Sequence, residues 1–244
     1  MIDGLRRGTP AFLASVTTAG EAEIALAGGA DIIDCKDPAA GALGALSAAT
    51  VREIVAGGGR RLPVSATIGD LPPEPDVLTN AASDMAATGV DIVKIGFFGS
   101  EDPRRAIAAL GAAHARSTKL VAVLMADQNP DFALVADLAD AGFAGVMIDT
   151  AGKSAGRLTT VLSAARLMEF VRLGRDNRLF VGLAGSLRES DIDMLAGLGP
   201  DLLGFRGALC AQGRVSAIEL SRVVSVRRAL DNAKLSLARE TSVA

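Results

Sequence analysis

The stretch "DIIDCKDP", Asp31–Pro38, is an apolar run that takes on charge as it reaches a proline-containing loop. In an extended segment successive side chains point to opposite faces, so Ile32, Asp34 and Lys36 share one side while Ile33 and Cys35 share the other. Ile33 and Cys35 make an apolar face. Asp34 and Lys36 point the opposite way, and what they point into depends on how many such strands surround them.

Working outward, strand character recurs at "FLASV" from Phe12, "LPVSATIG" from Leu62, "DIVKIGF" from Asp91, "KLVAVLMAD" from Lys119, "GVMIDT" from Gly145, "LFVGLAGS" from Leu179 and "LLGFRGA" from Leu202. Alanine-rich stretches of helical period lie between them, among them "GEAEIALAGG", "DPRRAIAALGAAHAR" and "AIELSRVVSVRRAL". Several stop at glycine, which readily adopts the left-handed conformation that ends a helix. Eight strand-then-helix units in 244 residues fit a single α/β domain, a (β/α)8 TIM barrel. A doubly wound open sheet is the competing arrangement, but it usually carries a glycine-rich dinucleotide fingerprint after its first strand, and "FLASVTTAGEAE" has none. The barrel is expected to span residues 1–244, with residues 1–11 as an N-terminal extension and a C-terminal tail from about residue 232 to 244.

Composition narrows the function. Half the residues are apolar, the net charge is −3 and no run of like charges occurs, so neither nucleic acid nor an anionic membrane is an expected partner. No segment reads as a signal core or a bilayer span, and the protein is expected to be cytoplasmic. Cys35 and Cys210 lack metal-ligand spacing and read as reduced thiols.

In a barrel the chemistry sits at the C-terminal ends of the strands. Strand parity sends Asp34 and Lys36 into the mouth, and the same parity sends Lys94 inward in the fourth strand, Asp149 in the sixth and Arg206 in the eighth, with Lys153 following in the loop "DTAGK". Charges on the inward face of a strand are rare unless paired. An Asp34–Lys94 or Asp149–Lys36 ion pair therefore accounts for these residues without catalysis. The catalytic reading rests on amine chemistry. An ordinary lysine, with a pKa of about 10.4, is almost wholly protonated at neutral pH and attacks carbonyls poorly. Desolvation and a second nearby cation favour the neutral amine, so paired lysines suggest a Schiff base, with the aspartates as proton shuttles.

The seventh and eighth strands end "GLAGSLRESD" and "GFRGALC". Gly185, Ser186 and Gly207 fall where the last two loops of a barrel commonly bind phosphate through backbone N–H groups, and Arg206 and Lys153 would add charge there. Simple tight-turn chemistry explains the same glycines. Other candidates are weaker. His114 closes a helix, Asp127 in "MADQNPDF" reads as part of an ordinary loop, Ser65 and Thr67 share the inward parity of the third strand, and the proline-rich "IGDLPPEP" is a candidate lid.

These residues, in this order and at these strand ends, resemble the (5-formylfuran-3-yl)methyl phosphate synthase family. The resemblance covers most of the chain and rests on "GGADIIDCKDPAAGALGA", "VSATIGDLP", "DIVKIGFFG", "MIDTAGK", "LAGSL" and "GFRGALC". It implies a class I aldolase-like lyase that joins two molecules of glyceraldehyde 3-phosphate, with loss of phosphate and water, into the furan precursor of a methanofuran-type cofactor. Under that resemblance Lys36 looks like the Schiff-base residue and Lys94 like the proton acceptor. Asp149 and Lys153 match the acid-base and substrate-orienting pair, and Asp34 tunes Lys36. The resemblance implies no metal, no cofactor and a homo-oligomer acting on a small triose phosphate. The competing functions are another class I aldolase or transaldolase-like enzyme and, from a different class, a non-catalytic phosphometabolite-binding barrel.

Overall fold

Period-two alternation along eight short strands closes the sheet on itself. In the computed structural model, which describes residues 9–57, 61–99, 102–114, 118–152 and 156–241, the strands are β1 (Ala11–Val16), β2 (Ile32–Cys35), β3 (Val64–Thr67), β4 (Ile92–Phe97), β5 (Lys119–Met125), β6 (Gly145–Asp149), β7 (Phe180–Leu183) and β8 (Leu202–Phe205). They form a closed barrel in sequence order, every neighbouring pair parallel, with β8 returning to β1. The eight strands fall where the sequence places them: β1 starts one residue earlier, at Ala11, inside the segment expected to be an extension, and the others are shorter than expected by one to four residues in all.

The connections carry α1 (Ala19–Ala27), α2 (Ala48–Gly57), α3 (Pro75–Ala86), α4 (Arg104–His114), α5 (Leu134–Asp140), α6 (Leu158–Val161), α7 (Ala164–Asp176), α8 (Ile192–Gly197) and α9 (Leu220–Thr241). Local chemistry starts several of them. Thr18 accepts a hydrogen bond from the Glu21 N–H at the head of α1, Ser163 does the same for Arg166 at the head of α7, and Pro75 opens α3. The last helix continues well past residue 232, through most of the segment expected to be a tail. Its alanine, leucine, lysine and arginine content favours helix, and Ala233 is buried against the barrel.

The core divides as strand parity requires. Ile33, Cys35, Val93, Ile95, Val146 and Ile148 pack outward against the helices in one large cluster. Leu13, Ile32, Ile92, Val123, Met147 and Phe180 form a separate cluster inside the barrel. The barrel is thus a packed column below, and only its upper end is free for chemistry.

At the lower end the strands are joined in twos. Asp31, Asp91 and Asp201 each precede an even-numbered strand, and their carboxylates accept the N–H of Phe12, Val64 and Val181 at 2.8, 2.9 and 2.8 Å. Each aspartate N–H donates back to the carbonyl of the same residue it holds. The equivalent position before β6 is Ala144, which keeps only the backbone bond, to Leu120. Asp201→Ala should therefore leave the buried Val181 N–H without an acceptor and lower stability by about 1–3 kcal/mol in urea unfolding. An unchanged midpoint would show that this reciprocal pairing is not stabilising.

Candidate active site

The upper ends of the strands open into a cavity of about 690 Å³. Its floor contains Ser15, Asp34, Lys36, Lys94 and Asp149, and its β7 and β8 side contains Gly185, Ser186, Arg206 and Gly207. The site residues expected from the sequence therefore line one cavity, except Lys153, which lies outside the described residues.

Asp34 is the deepest of these groups. Strand register puts Ser15, Asp34 and Ser65 side by side on β1, β2 and β3. With no solvent exposure, the Asp34 carboxylate accepts from Ser15 Oγ at 2.9 Å, Ser65 Oγ at 2.6 Å and Lys94 Nζ at 2.8 Å. Burial alone would push its pKa up, but the Lys94 and Lys36 charges and the bonds from Lys94 and Ser65 outweigh burial and hold it below the ordinary carboxylate value. A carboxylate so held is a poor proton shuttle near neutral pH. Of the two aspartates expected to move protons, Asp34 is the one whose surroundings favour its charged form.

Asp149 and Lys36 meet nearer the opening. Lys36 Nζ donates to Asp149 Oδ2 at 3.0 Å, and each side chain retains 11% of its exposure. The other Asp149 oxygen accepts the Thr150 N–H at 2.7 Å, which orients the carboxylate. Both ion pairs that explained the charges without catalysis are thus formed. Pairing and chemistry are compatible here, because buried ion pairs add little stability over apolar packing. A barrel end built only for stability would be filled with branched apolar side chains.

Two further carboxylates set the loops: Asp127, which by sequence reads as part of an ordinary loop, and Asp70, which no sequence pattern singles out. Asp127, at the end of β5, accepts the Ala151 and Gly152 N–H groups, both at 2.7 Å. With Asp149 on Thr150, three successive N–H groups after β6 are held by carboxylates. Asp70, in the proline-rich loop after β3, accepts the Ala42 and Leu43 N–H groups at 2.8 and 2.7 Å. Gly41 makes this approach possible: its φ is 137°, and a Cβ there would sit 2.3 Å from Asp70 Oδ2. Leu43 is thereby set into the inner core cluster. No residue of "IGDLPPEP" lines the cavity, so that segment acts as a strut for the β2 loop and not as a lid. Thr67 is likewise occupied with backbone, donating to the Cys35 and Gly44 carbonyls. His114 is buried at the end of α4, near Ser83 and Thr79 of α3 and away from the cavity.

Arg206 is held differently from the expectation that it would meet phosphate. Its Nη1 and Nη2 donate to the Glu21 carboxylate at 2.5 and 3.2 Å, and its N–H groups also reach the carbonyls of Ser15, Arg214 and Ser216. Glu21 is buried, which would raise its pKa, yet the Arg206 and Thr17 hydrogen bonds and the Arg206 charge bring it below the usual value. Its donors are engaged with protein, so Arg206 braces the β8 loop against α1. Gly185 (φ 114°) and Ser186 (φ 51°) are both left-handed, a conformation that costs a non-glycine residue about 1–2 kcal/mol. That strain marks the β7 turn as the more committed part of the anion-binding reading. Among the described residues no three His, Cys, Asp or Glu side chains converge to hold a metal ion, and no helix is long and apolar enough to cross a membrane.

Barrel and site together define an enzyme-type (β/α)8 barrel with paired lysines and aspartates at the strand ends, on the floor of its cavity. The sequence profile of the 4-HFC-P synthase family matches residues 12–227, and the chain belongs to that family, the (5-formylfuran-3-yl)methyl phosphate synthases. It is 46% identical over 223 residues to a putative (5-formylfuran-3-yl)methyl phosphate synthase of Methylorubrum extorquens, covering 91% of this chain and 92% of that protein. It is 36% identical over 215 residues to the (5-formylfuran-3-yl)methyl phosphate synthase of Methanopyrus kandleri, covering 84% and 91%. Among solved structures, the phosphoribosyl anthranilate isomerase of Thermus thermophilus superposes with a TM-score of 0.64 at 14% identity, over 91% of this chain and 98% of that one. That likeness shows the barrel alone.

Because Asp34 is held below its ordinary pKa, the unfolded chain binds the proton more readily. The resulting stability is present above about pH 4 and is lost as pH falls through the folded-state value. Asp34→Asn should cost about 3–5 kcal/mol near neutral pH, by leaving Lys94 buried without its anion. The gap to the unsubstituted protein should close as pH falls toward the acid end, in urea midpoints measured from pH 7 downward. A gap that stays constant across that range would remove the charge argument.

Proposed function

We propose that this barrel condenses two molecules of glyceraldehyde 3-phosphate into (5-formylfuran-3-yl)methyl phosphate through a Schiff base on Lys36, supplying the furan unit of a methanofuran-type cofactor. The observation that carries the reading is the Lys36 amine at the cavity floor, 3.0 Å from Asp149 and partly open to the cavity that Lys94 also lines.

One triose phosphate, isomerised to its ketone form, would lose its carbonyl oxygen as water when the Lys36 amine forms the imine. Asp149 stands where it can take the proton from the attacking amine and return it to the departing oxygen. The protonated imine withdraws electrons from the neighbouring carbon, so loss of a proton there yields an enamine. The enamine carbon forms the new bond to the aldehyde carbon of the second triose. Elimination of one phosphate, ring closure and hydrolysis of the imine then free the amine. Two trioses minus one phosphate and two waters balance the furan aldehyde phosphate. Lys94 is tethered to Asp34 on the same cavity floor; once it has given up its own proton it is the proposed proton acceptor, and Lys153 is the proposed substrate-orienting partner of Asp149. Backbone N–H groups at Gly185, Ser186 and Gly207 are proposed to meet a phosphate.

Borohydride added with glyceraldehyde 3-phosphate should leave a reduced adduct on Lys36 by peptide mass spectrometry, and the untreated reaction should release phosphate and develop furan absorbance. Lys36→Arg keeps the charge but has no amine that can become a neutral nucleophile, so turnover and trapping should both vanish. Full turnover in that variant refutes the imine. An adduct accompanied by a simple condensed sugar would instead support another class I aldolase.

Asp127→Ala frees the Ala151 and Gly152 N–H groups that set the loop after Asp149. A displacement of that loop by an ångström is expected to lower kcat by about 10²-fold. Lys36 trapping should persist, since the imine site is intact. Equal losses of trapping and turnover would show that Asp127 acts on the whole site and not on the β6 loop.

A further inference from the structure

The proposed reaction brings two phosphate groups into one cavity, and the pairing of its cations shows which can receive them. Among the described residues lining the cavity, Lys36 is paired with Asp149, Lys94 with Asp34, Arg206 with Glu21 and Arg222 with Glu219. Arg188 and Arg214 are the lining cations that no described carboxylate meets. Arg188 is exposed on the β7 side; its backbone N–H is held by Asp191, and its guanidinium makes no ion pair with a described carboxylate.

Arg214 is only partly exposed and is held in place. It lies in the segment between β8 and α9, and its backbone carbonyl accepts from Arg206 Nε at 2.9 Å. Its Nη2 donates to the carbonyls of Pro38 at 3.0 Å and Gly41 at 3.3 Å, in the loop after Lys36. Its Nε is shielded from solvent and has no acceptor among the described residues. A Cβ built on Gly207 would lie 3.9 Å from the Arg214 Cβ, so the arginine starts beside the β8 turn and reaches across to the β2 loop. Carbonyls orient the guanidinium without cancelling its charge. A cation oriented in advance, beside a glycine turn and unmatched by any described carboxylate, has the properties of a phosphate ligand, and a guanidinium fork suits phosphate oxygens better than a point charge does.

We infer that Arg214 is the guanidinium that binds a substrate phosphate, in a subsite between Gly207 and the Pro38–Gly41 turn. This rests on the reading that the cavity takes phosphorylated trioses, and it assigns to Arg214 the charge the sequence pattern gave to Arg206. Arg206 is the brace that fixes where Arg214 stands. The same side chain touches the loop of Lys36, so a bound phosphate and the Schiff-base lysine are placed by one residue.

Inorganic phosphate is the probe, titrated calorimetrically into the full chain. Arg214→Gln should weaken phosphate binding by about tenfold or more, the size expected for losing a charge-assisted contact. Arg222→Gln removes a charge from the same cavity but one already paired and solvated, and should change binding by less than about twofold. Arg214→Lys keeps the charge without the fork and should fall between the unsubstituted protein and Arg214→Gln. A second measurement separates binding from loop support: borohydride trapping on Lys36 with unphosphorylated glyceraldehyde should be unchanged in Arg214→Gln, while trapping at limiting glyceraldehyde 3-phosphate should fall. Unchanged phosphate affinity in Arg214→Gln, or equal loss of trapping with both aldehydes, overturns the assignment. Phosphate binding is measured without turnover, so a failure to form the furan would count against the condensation and not against Arg214.

Discussion

The upper half of this barrel depends on one buried carboxylate. Asp34 has no solvent exposure, and it is tolerated there because Ser15, Ser65 and Lys94 supply it with hydrogen bonds and charge. An isolated carboxylate in such a place would take up a proton, and the strand end would lose its anion. Held ionised, Asp34 anchors Lys94 at the floor of the cavity. The two carboxylates differ in setting: Asp34 is fully buried, while Asp149 keeps some exposure beside Lys36.

A single device, a carboxylate accepting backbone N–H groups, recurs at both ends of the barrel with different consequences. Below, Asp31, Asp91 and Asp201 tie β2, β4 and β8 to the strand before each, in regular structure. Above, Asp70 and Asp127 hold the loops after β2 and β6, which lead away from Lys36 and Asp149. Loops have no ladder to position them, so a carboxylate that fixes two successive N–H groups serves the purpose that strand pairing serves below. The geometry of the cavity thus rests on rigid strand ends for Asp34, Lys94 and Asp149, and on pinned loops for the residues beyond β2 and β6.

Arg206 illustrates a limit of reading charge from parity alone. Its place at the end of β8 makes it a plausible ligand, and it does line the cavity. Whether its charge is available depends on Glu21, which is 185 residues away in the chain and adjacent only because β8 closes onto β1. Arg214 is the reverse case. It lies in a loop, has no periodicity to mark it, and gains significance only through carbonyls more than 170 residues earlier in the chain.

The sequence by itself determined the eight strands, their inward and outward faces, and the convergence of Asp34, Lys36, Lys94 and Asp149, because side-chain direction along a strand is a local property with a period of two. It also carried the family, through long motifs at the strand ends. Parity also suggested the Asp34–Lys94 and Asp149–Lys36 pairs, but the tertiary structure alone decided that Arg206 meets Glu21 and that Arg214 meets no described carboxylate. It also decided that Asp70 and Asp127 reach backbone in neighbouring loops. These pairings join residues between 24 and 185 positions apart, at distances set by barrel closure and strand register, and no local pattern in the chain encodes them.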